Sequence, residues 1–238
     1  MHTEVLSYEA DGLLMRSHLY YEDSPSRRPG ILVFPELFGL SQHAKNQAQR
    51  LAELGYVTLA CDLHGEGKLF PDLESVGGIA EQLRNEPAHI RARAKGGLDA
   101  LVERPEVDPA RIAAIGYCFG GTMALELARG GNPIAGVVGF HSGLATVVPE
   151  DARNIKGKVL VCIGADDPVI PLDQRIDFEK EMRNGGVDWQ MNLYGGVVHS
   201  FTNPEADQAG RTHVSRYHAK AAARSWASMR AFLDEIFE

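Results

Sequence analysis

The sequence is short of cysteine and of basic charge, and it has no long apolar run. Each shortage excludes something. Three cysteines in 238 residues, Cys61, Cys118 and Cys162, are odd in number and far apart, which supports neither a disulfide framework nor a pair of closely spaced thiols on a metal. Free thiols suit a reducing compartment. Lys and Arg number 24 against 32 Asp and Glu, a formal net charge of -8 at pH 7. A chain of that sign lacks the basic face that neutralises phosphates, so neither a nucleic-acid partner nor an anionic lipid surface is expected. No run reaches the ~18 apolar residues of a membrane span. The opening residues Met1-His2-Thr3-Glu4 lack the basic and apolar stretches of a secretory leader, and the expectation is a cytoplasmic protein. The histidines are scattered and no phosphate-binding loop is present, so neither a metal nor an organic cofactor is expected.

What is present reads as an α/β chain. Hydrophobic residues at 44% and charged residues at 24% give an ordinary globular balance, enough for a core without staples. Two strand-like runs around Asp11-Gly12 predict an opening hairpin. The run Ile31-Leu32-Val33-Phe34 is short, apolar and partly β-branched, the mark of a strand buried on both faces. Ser41 can cap a helix over Gln42 to Leu54, which Gly55 ends. Further buried strands are expected at Val57 to Cys61, Arg111 to Ile115, Ile134 to Phe140 and Lys158 to Ile163, with a weaker one at Asp188 to Leu193. Helices are expected at 89–103, at Thr122 to Arg129 and over most of the chain from Glu205 onward. Residues 62–88 carry six glycines and prolines and read as irregular, a candidate lid or inserted excursion. Strands alternating with helices imply right-handed crossovers and a mainly parallel sheet, with the hairpin adding antiparallel strands at one edge. No repeat or linker divides the chain, and residues 1–238 read as a single domain, a monomer or a small homo-oligomer.

The sharpest signal is Gly116-Tyr117-Cys118-Phe119-Gly120-Gly121, placed after a strand and before a helix. It is a G-x-S-x-G nucleophile elbow with cysteine in the serine position. The glycines allow strand and helix to approach each other, and the N–H groups at the start of the helix favour thiolate over thiol. A cysteine nucleophile needs a base, and the base needs an orienting carboxylate. Downstream lie Asp166-Asp167-Pro168 after one strand and His199-Ser200-Phe201 after another, both at the carboxyl ends of strands where α/β sheets bind ligands. Either aspartate could serve, the other taking a turn role before Pro168. His199, after Gly195-Gly196, stands out from His43, His89, His213 and His218, which fall in expected helices. Cys61 and Cys162, on buried strands, read as small core hydrophobes.

Several stretches together resemble the dienelactone hydrolase family of α/β-hydrolases. They are the Cys118 elbow, Phe34-Pro35-Glu36-Leu37-Phe38-Gly39-Leu40, Gly55-Tyr56-Val57 through Cys61-Asp62-Leu63, His141-Ser142-Gly143-Leu144, and His199-Ser200-Phe201. The likeness spans roughly residues 30–205. It implies the α/β-hydrolase fold, with a mostly parallel central sheet flanked by helices, and a hydrolase acting on small ester or lactone substrates. It implies Cys118 as nucleophile, His199 as base and Asp167 as acid, with Glu36 contacting the resting thiol and keeping it unreactive until substrate arrives. The oxyanion hole would be the backbone N–H groups of Leu37 and Phe119. Tyr117, His141, Phe201 and Asn203 become candidates for the substrate pocket, His141 by packing or hydrogen bonding beside the triad. At Asn203 the family pattern has an arginine that helps bind the substrate carboxylate, and Arg84, Arg91 and Arg211 are candidates to replace it. That departure also keeps a non-catalytic scaffold, binding a small ligand or a protein partner, as the alternative reading.

Overall fold

The computed structural model describes residues 1–238, the side chain of Ala209 excepted. Strands β1 (His2–Ala10) and β2 (Leu13–Tyr21) form the expected hairpin, with Asp11 and Gly12 both at positive φ in its turn. β3 (Arg28–Phe34) follows, and its apolar run divides between two packed faces. Leu32 and Phe34 join one core cluster, Ile31 and Val33 the other. A continuous apolar strand is what a sheet covered on both sides requires.

Helix α1 (Gln42–Glu53) leads to β4 (Val57–Ala60), then α2 (Leu73–Asn85), α3 (Pro87–Val102), β5 (Val107–Tyr117), α4 (Phe119–Arg129), β6 (Gly136–Phe140), β7 (Lys158–Gly164), α5 (Leu172–Gly185), β8 (Trp189–Tyr194) and α6 (Ala219–Phe237). The eight strands make one sheet in the order β1-β2-β4-β3-β5-β6-β7-β8. β1, β2 and β4 pair antiparallel, and every neighbour from β4 to β8 pairs parallel. Residues of α1 and α6, among them Ala48, Leu51, Met229 and Phe232, cover one face; residues of α2 to α5, among them Leu83, Leu98, Met123 and Phe178, cover the other. Among the described residues no helix is long and apolar enough to cross a membrane.

Three expectations change. The stretch 62–88 is only half irregular, because α2 occupies its second part. Asp72 caps that helix by accepting the Ser75 N–H at 2.9 Å, and Val76, Ala80 and Leu83 are buried from it at helical spacing. Gly77 and Gly78 lie within it, and a Cβ at either would meet nothing, so they cost helix propensity without breaking the helix. The turn read at Gly116–Gly121 is a single residue, since β5 runs to Tyr117 and α4 begins at Phe119. The C-terminal helix starts at Ala219 and not near Glu205, because the segment before it pairs with the loop after β8. His199 N–H donates to the Val214 carbonyl, Arg216 N–H to that of His199, and His218 N–H to that of Phe201, each at 3.0 Å.

Candidate active site

Four loops at the carboxyl ends of β3, β5, β7 and β8 bring Glu36, Cys118, Asp167 and His199 to one edge of the sheet. Cys118 alone forms the junction of β5 and α4, at φ 55° and ψ -118°. That conformation is sterically costly for a residue with a side chain and persists only where its surroundings enforce it. The enforcing contacts are glycines: a Cβ on Gly116 would strike the Gly120 carbonyl, and one on Gly120 would strike the Phe34 carbonyl. His141 and Ser200 also take positive φ, 41° and 55°, so backbone strain gathers here.

Asp167, buried at 3% exposure, holds Nδ1 of His199 at 2.7 Å through Oδ2 and accepts the Val169 N–H at 2.8 Å through Oδ1. Asp166 is exposed and bonds through its backbone to Val197, which leaves Asp167 as the carboxylate at the ring. Nε2 of His199 is buried, with the Cys118 sulfur beside it and no other partner among the described residues. Burial opposes the imidazolium, but the charge of the neighbouring Cys118 sulfur and the Asp167 carboxylate outweigh it and raise the His199 pKa above its ordinary value. A thiol, an imidazole with one free nitrogen and a carboxylate behind it can exchange a proton and attack an electrophilic carbon.

Glu36 does not hydrogen-bond to Cys118. Its Oε1 lies 2.7 Å from Nδ1 of His43, off the line of a well-formed hydrogen bond. Ser41 Oγ donates to its Oε2 at 3.1 Å, and Asn203 Nδ2 sits 3.4 Å from Oε1. Burial would raise the Glu36 pKa, but His43 and Ser41 prevail and hold it below the usual carboxylate value. The Glu36 carboxylate is therefore engaged by His43 and Ser41 and forms no hydrogen bond to the thiol. Ser41 spends its hydroxyl on Glu36 and makes no side-chain cap on α1. Both His43 and Ser41 escaped the sequence reading as site residues.

Tyr117, His141 and Phe201, expected at the pocket, have 1% exposure or less and pack behind the triad. The His141 ring stands edge-on to His199 at 5.1 Å and to Phe201 at 5.3 Å, and its Nε2 pairs with Thr202 Oγ1 at 2.8 Å. Burial and the charge of His199 hold the His141 pKa well below its ordinary value, so it stays neutral beside the base. Of the three arginines, Arg91 is committed to Glu126 and Asp151. Arg84 is exposed, with its guanidinium 5.5 Å over the ring of Phe119, the residue after Cys118. Arg211 is exposed in the segment that pairs with the His199 loop. A cleft of about 760 Å³, lined by Leu144, Gln174, Phe178 and Glu181 among others, includes none of Cys118, Asp167 and His199. Among the described residues no cluster of His, Cys, Asp and Glu is gathered as a metal site needs.

Neither Leu37 nor Phe119 donates its backbone N–H to another group among the described residues. Phe119 is the first residue of α4, where an N–H has no partner in the helix. Two backbone donors are therefore free, one in the loop after β3 and one in the first turn of α4.

Comparison with known proteins places this geometry. The model of the dienelactone hydrolase family matches residues 15–237. The solved structure named m3DLH is similar at 46% identity and a TM-score of 0.96, covering 100% of this chain and 99% of that one. A dienelactone hydrolase-like promiscuous phosphotriesterase from metagenomic libraries is similar at 40% identity and a TM-score of 0.94, with 100% and 99% covered. A putative carboxymethylenebutenolidase of Aquifex aeolicus is 24% identical over 227 residues, 94% of each chain.

Proposed function

Since the chain belongs to the dienelactone hydrolase family and is a hydrolase of the ester- and lactone-cleaving kind, we propose that it opens small esters or lactones with Cys118 as nucleophile, His199 as base and Asp167 as the orienting acid. The observation that carries this reading is the His199 ring, held through Nδ1 by Asp167 while its buried Nε2 is left without a partner beside Cys118.

The thiolate attacks the carbonyl carbon, and the negative charge that develops on oxygen is met by the N–H groups of Leu37 and Phe119. The carbon–oxygen bond to the leaving group breaks, and the alkoxide takes the proton from the His199 imidazolium. Neutral His199 then removes a proton from water, whose oxygen attacks the thioester; the thiolate leaves and the free acid is released. In a lactone the alcohol remains tethered to the acyl group, so one product leaves. Asp167 fixes the tautomer of the ring and stabilises its cation. Arg84 supports a preference for substrates that carry a carboxylate, as an arginine without an ion pair whose guanidinium lies over Phe119, the residue after Cys118.

The test is hydrolysis of cis-dienelactone and a panel of neutral aryl esters by the native enzyme and by Cys118→Ala. Turnover lost in the variant, with the fold intact, supports the triad; turnover that survives removes Cys118 as nucleophile. Likeness to the metagenomic phosphotriesterase supports a second substrate class for the same sulfur, activated phosphotriesters. An aryl phosphotriester in the same panel tests it, and absence of turnover there discards that class alone.

A further inference from the structure

The loop after β4 carries a buried histidine to which the proposed mechanism gives no role. It starts at Asp62, 1% exposed, whose carboxylate accepts four backbone N–H groups. They are those of Arg16 at 3.0 Å, His64 at 3.1 Å, Gly65 at 3.2 Å and Gly67 at 2.7 Å. Gly65 and Gly67 take φ of 85° and 67°, which lets the chain coil around the carboxylate. Asp62 N–H is held in turn by Ser17 Oγ at 2.9 Å. An anionic acceptor with four donors fixes the backbone at His64 firmly.

The His64 ring is buried, edge-on to Phe70 at 4.8 Å, and its Nε2 lies 2.7 Å from the carbonyl oxygen of Leu37. A carbonyl only accepts, so Nε2 carries the proton. Nδ1 is buried without a partner, and burial holds the His64 pKa below its ordinary value, so the ring is a neutral donor.

That donor completes a set. Gly39 N–H holds the Glu36 carbonyl at 3.1 Å, His64 holds that of Leu37, and Phe70 N–H holds that of Phe38 at 2.9 Å. The Glu36 carbonyl shares a peptide plane with the Leu37 N–H, and the Leu37 carbonyl lies in the next plane. Rotation about Leu37 would swing its N–H, and pinning both planes removes that freedom. Both carbonyls of the two planes are thus held, while the Leu37 N–H, like the Phe38 N–H beyond it, has no acceptor among the described residues.

We propose that His64 is a positioning residue for hydrolysis: through the Leu37 carbonyl it fixes the direction of the Leu37 N–H, one of the two donors to the oxyanion. The proposal rests on the acyl-transfer reading above. It requires the Nε2–H donor and not the bulk of the ring, and it acts on the transition state and not on the sulfur.

His64→Phe keeps the volume and the edge contact with Phe70 but removes the donor; His64→Gln returns an N–H that can reach the same carbonyl. The two are compared with the native enzyme for kcat and KM on a neutral aryl ester, and for alkylation of Cys118 by iodoacetamide, a displacement that builds no oxyanion. The expected result for His64→Phe is a kcat lower by about 10- to 100-fold, the range for a misaimed or lost donor. KM and alkylation stay unchanged, and His64→Gln recovers most of the loss. His64→Leu gives the same comparison where the phenylalanine does not fold. Native kcat in His64→Phe or His64→Leu overturns the proposal, as does a loss that glutamine fails to repair and that slows alkylation equally, since the ring would then only be packing. Native turnover that persists in Cys118→Ala would instead remove the acyl-transfer reading itself, so the two failures are told apart in one set of assays.

Discussion

His199 and His43 each bring Nδ1 to 2.7 Å from a buried carboxylate oxygen, of Asp167 and Glu36 respectively, within one edge of the sheet. The pairs differ at the other nitrogen. Gln47 Nε2 lies 3.2 Å from His43 Nε2, and Gln47 Oε1 accepts from Arg50, whose guanidinium stacks 3.8 Å above Trp226. An amide NH₂ only donates, so the His43 nitrogen facing Gln47 is an acceptor and the ring proton faces Glu36. His199 has no partner on Nε2 other than the Cys118 sulfur beside it. The same two side chains thus make a closed pair on α1 and an open pair after β8. What separates structure from chemistry is whether the second nitrogen has been used up.

The comparison can be broken at four points. Asp167→Asn should be the most damaging: the amide cannot stabilise the cation and permits the wrong tautomer, and turnover should fall by about 10,000-fold with folding preserved. A loss under tenfold, read from kcat/KM on an aryl ester, would mean that the open pair is not the catalytic one. Glu36→Gln takes a negative charge away from the site and should speed alkylation of Cys118 by about three- to tenfold; an unchanged rate separates Glu36 from the thiol. The pH profile gives a signed effect. Asp167 helps raise the His199 pKa, so in Asp167→Asn the imidazolium is lost at lower pH and the alkaline limb of the residual activity should move toward neutrality. A limb that stays in place assigns it to another group. Gln47→Leu should do least, under about threefold in turnover. Its readout is the ring nitrogen shifts of His43 by NMR, which should show a changed proton distribution; unchanged shifts would show that Gln47 does not set the tautomer.

How much of this could be read in advance followed how local the cause was. The elbow was legible because Gly116 and Gly120, on either side of Cys118, are dictated by contacts within the turn and by the Phe34 carbonyl of the adjacent strand. The doubly covered sheet was legible from runs such as Ile31-Leu32-Val33-Phe34. α2 was hidden by Gly77 and Gly78, although Val76, Ala80 and Leu83 carried the spacing that overrides them. His43 was set aside for falling in a helix, yet its place in the first turn of α1 is what returns it to Glu36, seven residues earlier. The burial of Tyr117 and Phe201, expected at the pocket, was not legible, because it depends on how Phe140, Tyr194 and His141 stack around them. His64 gave no signal of its own, since its partner is a backbone atom 27 residues away.

The pairing of residues 214–218 with the His199 loop has a consequence for the order in which the site comes into being. A chain that has left the ribosome as far as residue 210 already contains the thiol, the acid and the base, along with the strands that carry them. It does not yet contain Val214, Arg216 or His218, which hold the backbone on either side of His199. Synthesis therefore delivers Cys118 well before the backbone frame that holds His199, and the site can close only after residue 218 has been made.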